Sequence, residues 1–225
     1  MPKSYVAAND EIAGPRTERE AERREHFMRV AAAVFRRHGL GRATMEQVAA
    51  AAGVTKVVLY RRFPSKDALI QAIFAETVRR LKAQDAKPWT GYGGGMRKSL
   101  EAARSFEDGY ILLVRHGNQH PAYRGAYEAI RNRVAGRLRG LLWYPERPPP
   151  RSERPAMLDL SLEPMISYCN DCLAYWVERG DPDKDEQFLH WHGQMIRAWR
   201  HNAAELLNLD SPEQEWPFDT EGLLP

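Results

Sequence analysis

Apolar residues recur along most of the chain at intervals of three and four, the spacing of one buried face of an α-helix. The first such segment covers residues 18–38 and includes Phe27, Val30, Ala31, Val34 and Phe35. Gly39 follows it and predicts the end of the helix, because glycine tolerates the left-handed conformation found there. No segment shows the apolar–polar alternation of a half-buried strand. The pattern predicts an all-α protein.

Capping residues and helix breakers divide residues 44–82 into three consecutive helices. Thr44 and Gln47, three positions apart, fit a capping box at the start of the first helix. Gly53 ends that helix. The two following helices are delimited in the same way, by Thr55, Phe63-Pro64 and Ser65. Two short helices joined by a glycine turn predict a helix-turn-helix within a three-helix domain.

The remainder of the chain predicts further helices separated by glycine- and proline-rich segments. The GYGGG run at 91–95 predicts a flexible joint, and PERPPPRSERP at 145–155 predicts a loop. The predicted helices cover 97–117, 121–143, a segment that starts or kinks at Pro164 and ends near 179, and a last one to about residue 207.

The charge of the chain is unevenly distributed. Residues 1–66 carry thirteen Lys and Arg against seven Asp and Glu, a balance of +6. The rest carries twenty against twenty-three, a balance of −3. A basic N-terminal third joined to a nearly neutral body is typical of a phosphate-binding domain attached to a larger partner domain.

The outer face of the helix after Thr55 carries side chains that can bind nucleic acid. At about 100° per residue, Thr55, Leu59 and Phe63 face the protein, whereas Val57, Tyr60 and Arg61 lie opposite, with Lys56 on a flank. Cations and a phenol can bond phosphates or base edges, and valine can pack on a thymine methyl group. Lys66, at the next helix N-terminus, adds a second phosphate clamp.

Three segments give a more specific resemblance. AAAVFRRHG, ATMEQVAAAAGVTKVVLYRRF and PSKDALIQAIF, within residues 23–81, resemble the DNA-binding domain of the tetracycline-repressor (TetR) family of bacterial transcription regulators. The resemblance implies DNA contacts at Thr44, Thr55, Lys56, Val57, Tyr60 and Lys66. The family commonly has a small residue and then Ser or Thr after the lysine. This chain has Val57 and Val58, so we expect Val58 to pack against its neighbours.

The resemblance also implies the organisation of the whole chain. The segments are a disordered tail (1–17), a helix-turn-helix DNA-binding domain (18–66), a connecting helix (67–82), a helical ligand-binding and dimerisation domain (83–209) and a loose tail (210–225). It implies a homodimer built on the last two long helices. The apolar stripe of the last helix supplies the candidate interface residues, which are Phe188, His192, Met195, Ile196 and Trp199. The alternative is that these helices are buried within one bundle.

A ligand cavity in the C-terminal helices is implied by the same resemblance. The candidate lining residues are Tyr110, Leu113, His116, Gln119, Trp143, Tyr168 and Trp176. The alternative is that the aromatic residues only fill the core. The polar His116 and Gln119 are the stronger candidates, since a polar group on an apolar helix must find a partner.

Enzymatic, metal and redox chemistry find little support in the sequence. There is no glycine-rich phosphate loop, no nucleophile elbow and no HExxH motif, so we expect no enzyme, cofactor or metal. Cys169 and Cys172 form a Cys-x-x-Cys spacing, but they lie mid-helix among apolar residues without a second pair. Two cysteines in 225 residues, with no apolar leader or membrane span, indicate the cytoplasm.

Together these features predict a sequence-specific DNA-binding transcriptional regulator. We expect a homodimeric repressor that binds a palindromic operator and is released by a small-molecule effector. Two alternatives remain open at this point: a redox or metal-responsive sensor that uses Cys169 and Cys172, and a repressor without an effector.

Overall fold

A computed structural model describes residues 15–86, 91–142 and 155–206. Within these ranges the regular structure is helical, which confirms the predicted fold class. The helices are α1 (Pro15–His38), α2 (Met45–Ala51), α3 (Lys56–Arg62), α4 (Lys66–Asp85), α5 (Gly91–Ser105), α6 (Glu107–His116), α7 (Pro121–Leu142), α8 (Pro155–Arg179) and α9 (Asp185–Leu206). A short 3-10 turn, Pro182–Lys184, precedes α9. The chain divides into two compact units between Leu69 and Ile70, inside α4.

The first unit is built on α1, α2 and α3. Phe27 and Phe35 of α1 are buried against the short helices, together with Val48, Leu59 and Phe63. Gly39 and Gly53 have φ angles of +81° and +65°, the left-handed region that glycine adopts without strain. These two glycines end α1 and α2 where the sequence predicts, and the turn at Gly53 sets the angle between α2 and α3.

In the second unit, α5, α6 and α7 pack against the long helix α8, and α9 packs against α5 and α7. Its fully buried side chains include Tyr110, Leu113, Leu138, Leu162, Leu173 and Ile196. The carboxylate of Asp185, at the start of α9, accepts hydrogen bonds from Arg104 Nη2 of α5 at 2.9 Å and from Trp176 Nε1 of α8 at 2.6 Å. One acidic side chain thus ties three helices together.

The helix predicted over 97–117 is interrupted at Phe106, which separates α5 from α6. Phe106 is buried, and Gly109 of α6 lies directly against its ring. A Cβ atom at Gly109 would lie 2.4 Å from Phe106 Cε1 and 2.8 Å from Thr77 Oγ1. The break therefore depends on a close approach to α4, which periodicity along the chain cannot reveal.

Several other boundaries differ from the prediction. The GYGGG run at 91–95 is the first turns of α5 and not a joint, despite the low helix propensity of glycine. Helix α1 begins at Pro15, inside the predicted tail, and α4 continues to Asp85. Helix α8 begins at Pro155 and contains Pro164 in its interior. The predicted tails before residue 15 and after residue 206, and most of the loop at 145–155, fall outside the described residues.

Candidate nucleic-acid interface

Local capping fixes the helix-turn-helix. The backbone N–H of Gln47 donates to Thr44 Oγ1 at 3.2 Å, and the N–H of Thr44 donates to Gln47 Oε1 at 2.9 Å. This reciprocal pair is the capping box that the sequence predicts. At the start of α3, the backbone N–H of Val58 donates to the Thr55 hydroxyl at 3.5 Å. The two caps define where the recognition surface of α3 begins.

Helix α3 exposes the residues that its periodicity assigns to the outer face. Leu59 and Phe63 are buried, whereas the side chain of Val57 is 76% exposed. Tyr60 is exposed to 37%. Thr55, in contrast, is exposed and does not face the protein as the helical projection predicts. Its backbone is extended (φ −74°, ψ 152°), so the angular spacing of a helix does not apply to it.

Lys56 is linked to α2 by an ion pair that the sequence analysis missed. Its ammonium group donates to the carboxylate of Glu46, ten residues earlier, and lies 5.5 Å from the centre of the Tyr60 ring. The hydrogen bond with Lys56 lowers the pKa of Glu46, and the bond with Glu46 raises the pKa of Lys56. Both groups are therefore charged at neutral pH. The turn at Gly53 brings them together, and linear spacing gives no signal of the pair.

Lys66 connects α4 to the loop that precedes α2. Its Nζ donates to the backbone carbonyl of Gly41 at 3.1 Å, three residues before Thr44. The Ser65 hydroxyl caps α4 by accepting the backbone N–H of Ala68 at 3.0 Å. An ammonium group has three N–H donors, so Lys66 retains two for an external acceptor. Thr44 is also exposed.

Arginines of α1 enlarge the basic surface beyond the predicted residues. Arg23 lines a cleft of about 400 Å³ together with Arg61, Arg62 and Val58. The Arg24 guanidinium lies 4.7 Å above the centre of the buried Phe63 ring. The half-buried Val58 also lines this cleft. In the sequence, the consecutive Arg23 and Arg24 of α1 could have indicated this additional basic surface.

The candidate ligand residues of the second unit lie in separate places. Tyr110 and Leu113 are core residues. His116 Nδ1 and Gln119 Oε1 are 3.0 Å apart, so these two polar side chains partner each other near the surface. Tyr168 stacks on His192 with the ring centres 5.3 Å apart, and Trp176 stacks on Phe188 at 4.9 Å. Trp143 lies outside the described residues.

The candidate dimer residues of α9 differ in how much of their surface is exposed within one chain. Phe188, His192 and Ile196 have at most 4% of their surface exposed within one protomer, so they belong to its core. Trp199 is half-buried and donates from Nε1 to the Ser161 carbonyl at 3.1 Å. Met195 alone of the five is substantially exposed, to 43%. Phe188, His192 and Ile196 therefore face the bundle of their own chain, whereas Met195 has surface available to a partner.

A different apolar surface is exposed on α8 and α9. It consists of residues whose side chains are 43–64% exposed, namely Met157, Leu160, Tyr175, Trp191 and Met195. We call this set the α8–α9 face. It includes a groove of about 310 Å³ lined by Tyr175, Trp176 and Trp191. Tyr175 and Trp191, which share this groove, are large exposed side chains of the kind found at protein contact surfaces.

The two cysteines do not have the environment of a reactive pair. Both are free thiols, with Cys169 buried and Cys172 half-buried. Burial raises the pKa of Cys172, which is opposite to the lowered pKa of a reactive thiolate. In the described ranges, no three His, Cys, Asp or Glu side chains are grouped for a metal ion. None of the helices described there is long and apolar enough to cross a membrane.

Comparison with known sequences gives matches over part of the chain. Residues 27–73 match the family model described as bacterial regulatory proteins, tetR family. An uncharacterized HTH-type transcriptional regulator of Mycobacterium tuberculosis (strain ATCC 25618 / H37Rv) is 35% identical over 78 residues. That match covers 35% of this chain and 37% of the regulator, so it spans little more than a third of the relative's length.

Solved structures show that the similarity of fold extends to most of the chain. A TetR-like transcriptional regulator from Rhodococcus sp. RHA1 aligns with a TM-score of 0.55 and 20% identity, over 83% of this chain and 94% of the other. FadR from Bacillus subtilis, solved in complex with stearoyl-CoA, aligns with a TM-score of 0.52 and 14% identity, over 83% and 97%. At these identities the comparison supports a common fold.

Proposed function

We propose that this chain, which belongs to the TetR family of bacterial regulatory proteins, binds double-stranded operator DNA as a homodimer and represses transcription until an effector binds. The observation that carries the proposal is the exposed face of α3. An apolar side chain that is 76% exposed, Val57, lies on the same short helix as Lys56 and Tyr60, whose ammonium group and ring are 5.5 Å apart. This family consists of regulators and not of enzymes.

The residues of the interface divide by the part of DNA they suit. Lys66 and Thr44, joined through the Gly41 carbonyl contact, present donors at adjoining helix N-termini, the arrangement that binds phosphate. Lys56 and Val57 lie in the first turn of α3, the position from which a recognition helix reaches base edges. We assign phosphate contacts to the first pair and base contacts to the second. Tyr60, Arg61 and the α1 arginines extend the phosphate surface.

The test is a gel-shift titration with the DNA upstream of the protein's own gene, together with a variant that removes three donors. Lys56→Ala, Tyr60→Ala and Lys66→Ala combined are expected to abolish the shift at physiological salt while the circular dichroism spectrum stays helical. Phosphate contacts make affinity fall with salt, so the loss should be accompanied by a shallower salt dependence. Unchanged binding by the triple variant contradicts the proposed interface.

The α8–α9 face is the surface we propose for dimerisation. Its exposed aromatic and sulfur-containing side chains suit a well-packed protein contact, in which Trp, Tyr and Met are enriched. In a dimer, two copies of α3 about 34–36 Å apart can occupy successive major grooves. A palindromic site therefore binds the dimer more tightly than a single half-site does. Trp191→Glu is expected to yield monomers in analytical ultracentrifugation. Val57→Glu places the same charge on the other exposed apolar surface and is expected to leave the dimer intact.

The effector is proposed to bind the second unit. FadR from Bacillus subtilis, which shares the fold, was solved with stearoyl-CoA, and this supports ligand binding by a chain of similar architecture. An effector releases DNA only if it binds the DNA-incompetent arrangement more tightly than the competent one. The raised pKa of Cys172 gives no support to a thiol sensor.

A further inference from the structure

An acidic side chain lies beside the residues to which base contacts are assigned. Glu46 is in the first turn of α2, and its carboxylate accepts a hydrogen bond from the Lys56 ammonium group of α3. The side chains of Glu46 and Lys56 are 56% and 53% exposed, so both reach solvent although they bond to each other. Lys56 is followed by the exposed Val57. The surface proposed for base contacts therefore includes an anion as well as a cation and an apolar group.

A carboxylate on this surface does not help general attachment to DNA. Phosphate contacts supply the sequence-independent part of binding, and a negative charge repels phosphate. A carboxylate is, however, an acceptor without donors, so it distinguishes base edges by their chemistry. In the major groove, cytosine N4 and adenine N6 can donate to it, whereas guanine and thymine present acceptors. Glu46 can therefore contribute to sequence preference where it does not contribute to overall affinity.

The ion pair of Glu46 and Lys56 matches the major-groove edge of one base pair. A G·C pair presents guanine N7 and O6 as adjacent acceptors, next to the N4 donor of cytosine. Guanine O6 and cytosine N4 are hydrogen-bonded to each other, so they lie about 3 Å apart. The Lys56 ammonium group and the Glu46 carboxylate are likewise in hydrogen-bond contact. A donor and an acceptor on the protein thus have the spacing of an acceptor and a donor on the base pair.

Both charged groups have enough hydrogen-bonding capacity for this arrangement. An ammonium group has three N–H donors, and the bond to Glu46 leaves two for guanine N7 and O6. A carboxylate has about four acceptor sites. The bonds from Lys56, from the backbone N–H of Glu46 and from the Thr44 hydroxyl lower the pKa of Glu46 and leave a site for cytosine N4. An A·T pair fits less well, because its amino group separates the acceptors N7 and O4.

We propose that Glu46 is a specificity-determining residue that accepts a hydrogen bond from cytosine N4, while Lys56 donates to the guanine of the same base pair. The ion pair acts as one unit and recognises a G·C pair in each half-site. The contact that links α2 to α3 in the free protein is thus kept in the complex. The role of Glu46 rests on the proposed DNA-binding function and adds the chemistry of one operator position to it.

The operator position is identified by selecting DNA from a random pool with the purified full chain. The native chain is expected to enrich one G·C pair per half-site that Glu46→Ala leaves unselected, whereas the other enriched positions stay the same. Glu22→Ala, at an exposed acidic position of α1, controls for charge and should retain every position. The readout is preference and not affinity, because removing a negative charge also strengthens attraction to phosphate. An identical enriched sequence for the native chain and Glu46→Ala overturns the proposal.

A modified base tests the hydrogen bond itself. N4-methylcytosine keeps the Watson–Crick pair but replaces the N4 hydrogen that faces the major groove by a methyl group. At the identified position it is expected to weaken binding by the native chain about tenfold, as for loss of one hydrogen bond to a charged group. Glu46→Ala is expected to bind the modified and unmodified DNA equally. An equal loss for the native chain and Glu46→Ala assigns the N4 contact to another residue and overturns the proposal.

The guanine of the same pair is tested in parallel. Replacing it by 7-deazaguanine removes the N7 acceptor and is expected to weaken binding by the native chain but not by Lys56→Ala. Sensitivity of the native chain to N4-methylcytosine but not to 7-deazaguanine overturns the joint recognition of one base pair by Glu46 and Lys56.

The outcomes separate the role of Glu46 from the proposed function. A chain that enriches no sequence from the pool contradicts DNA binding itself, and the role of Glu46 falls with it. If Glu46→Ala enriches the same palindrome as the native chain, operator binding stands and only the role of Glu46 is overturned. A purely structural role, in which Glu46 stabilises α2 and holds Lys56, would lower the Tm of the variant and leave the enriched sequence unchanged.

Discussion

The Lys56 ammonium group is held against the Glu46 carboxylate across the turn between α2 and α3. The pair links the two helices of the DNA-reading motif and places a negative charge beside a proposed base-contacting residue. In the free protein the pair therefore orders Lys56 and also neutralises it. DNA has to displace or tolerate Glu46 when it approaches α3.

Removing the Glu46 carboxylate tests whether the ordering of Lys56 or its neutralisation has the larger effect on DNA binding. Glu46→Gln is expected to tighten DNA binding by about two- to fivefold at low salt, because it removes repulsion between Glu46 and phosphate, and the gain should shrink as salt screens both charges. Fluorescence anisotropy with labelled operator DNA measures the change. Glu128→Gln, an exposed acidic position in the second unit, is the charge-matched control. Weaker binding by Glu46→Gln would instead show that the pair positions Lys56 for its contact.

Alanine substitutions of Lys66 and Val57 are expected to impair DNA binding in different ways. Lys66→Ala should weaken binding to all DNA sequences alike and reduce the slope of log K against log salt by about one. Val57→Ala should leave that slope unchanged and reduce the preference for thymine at one position, since the contact of valine is apolar. Competition assays on a set of singly substituted operators distinguish the two. Lys184→Ala, an exposed lysine of the second unit, controls for net charge.

Two glycines of the second unit are expected to respond oppositely to the same substitution. Gly109→Ala places a methyl group 2.4 Å from Phe106 Cε1 and should destabilise the protein by about 1–3 kcal/mol through overpacking. Gly136→Ala meets open space within α7 and should stabilise by up to about 1 kcal/mol through helix propensity. Urea denaturation of both variants measures the contrast. Equal effects would contradict the close approach at Phe106.

His192 gives the second unit a dependence on pH. It is fully buried, and burial lowers its pKa from 6.5 to about 4. Between these values the unfolded chain binds a proton that the folded chain does not, so stability is complete above about pH 6.5 and decreases as the pH falls to about 4. The loss amounts to at most about 3 kcal/mol.

The measurement is Tm against pH for the native chain and for His192→Phe. The variant should lose the decrease between about pH 6.5 and 5, while a decrease below about pH 5 remains, because carboxylates with lowered pKa values, such as Glu76 and Glu186, contribute there. His190→Gln, on the same helix, is the control and should behave as the native chain does. A profile unchanged by His192→Phe rules out His192 as the source.

The predictions that succeeded rest on local chemistry. The capping box of Thr44 and Gln47, the cap at Thr55 and the turn at Gly53 involve residues within a few positions of one another, so their sequence spacing determines them. The same local motifs carried the resemblance to the TetR family, which the comparisons confirm. The outward direction of Val57 and Tyr60 follows from helical periodicity alone.

The predictions that failed depend on long-range contacts. Periodicity shows that α9 has an apolar face, but it does not show that Phe188, His192 and Ile196 are covered by the same chain. The break at Phe106 requires the approach of Gly109 and Thr77. The cluster of Arg133, Arg137 and Asp85 joins residues about fifty positions apart, and nothing in their spacing marks them as neighbours.

Gly136 and Gly140, beside which a Cβ atom would meet nothing within 4 Å, affect the motion of α7. Each glycine inside a helix costs about 1 kcal/mol relative to alanine, so Gly136 and Gly140 make the C-terminal half of α7 prone to local opening. Its backbone amide protons should exchange with solvent faster than those at the centre of α8, whose core side chains are closely packed. Amide exchange followed residue by residue would therefore show whether this half of α7 opens independently of the packed core.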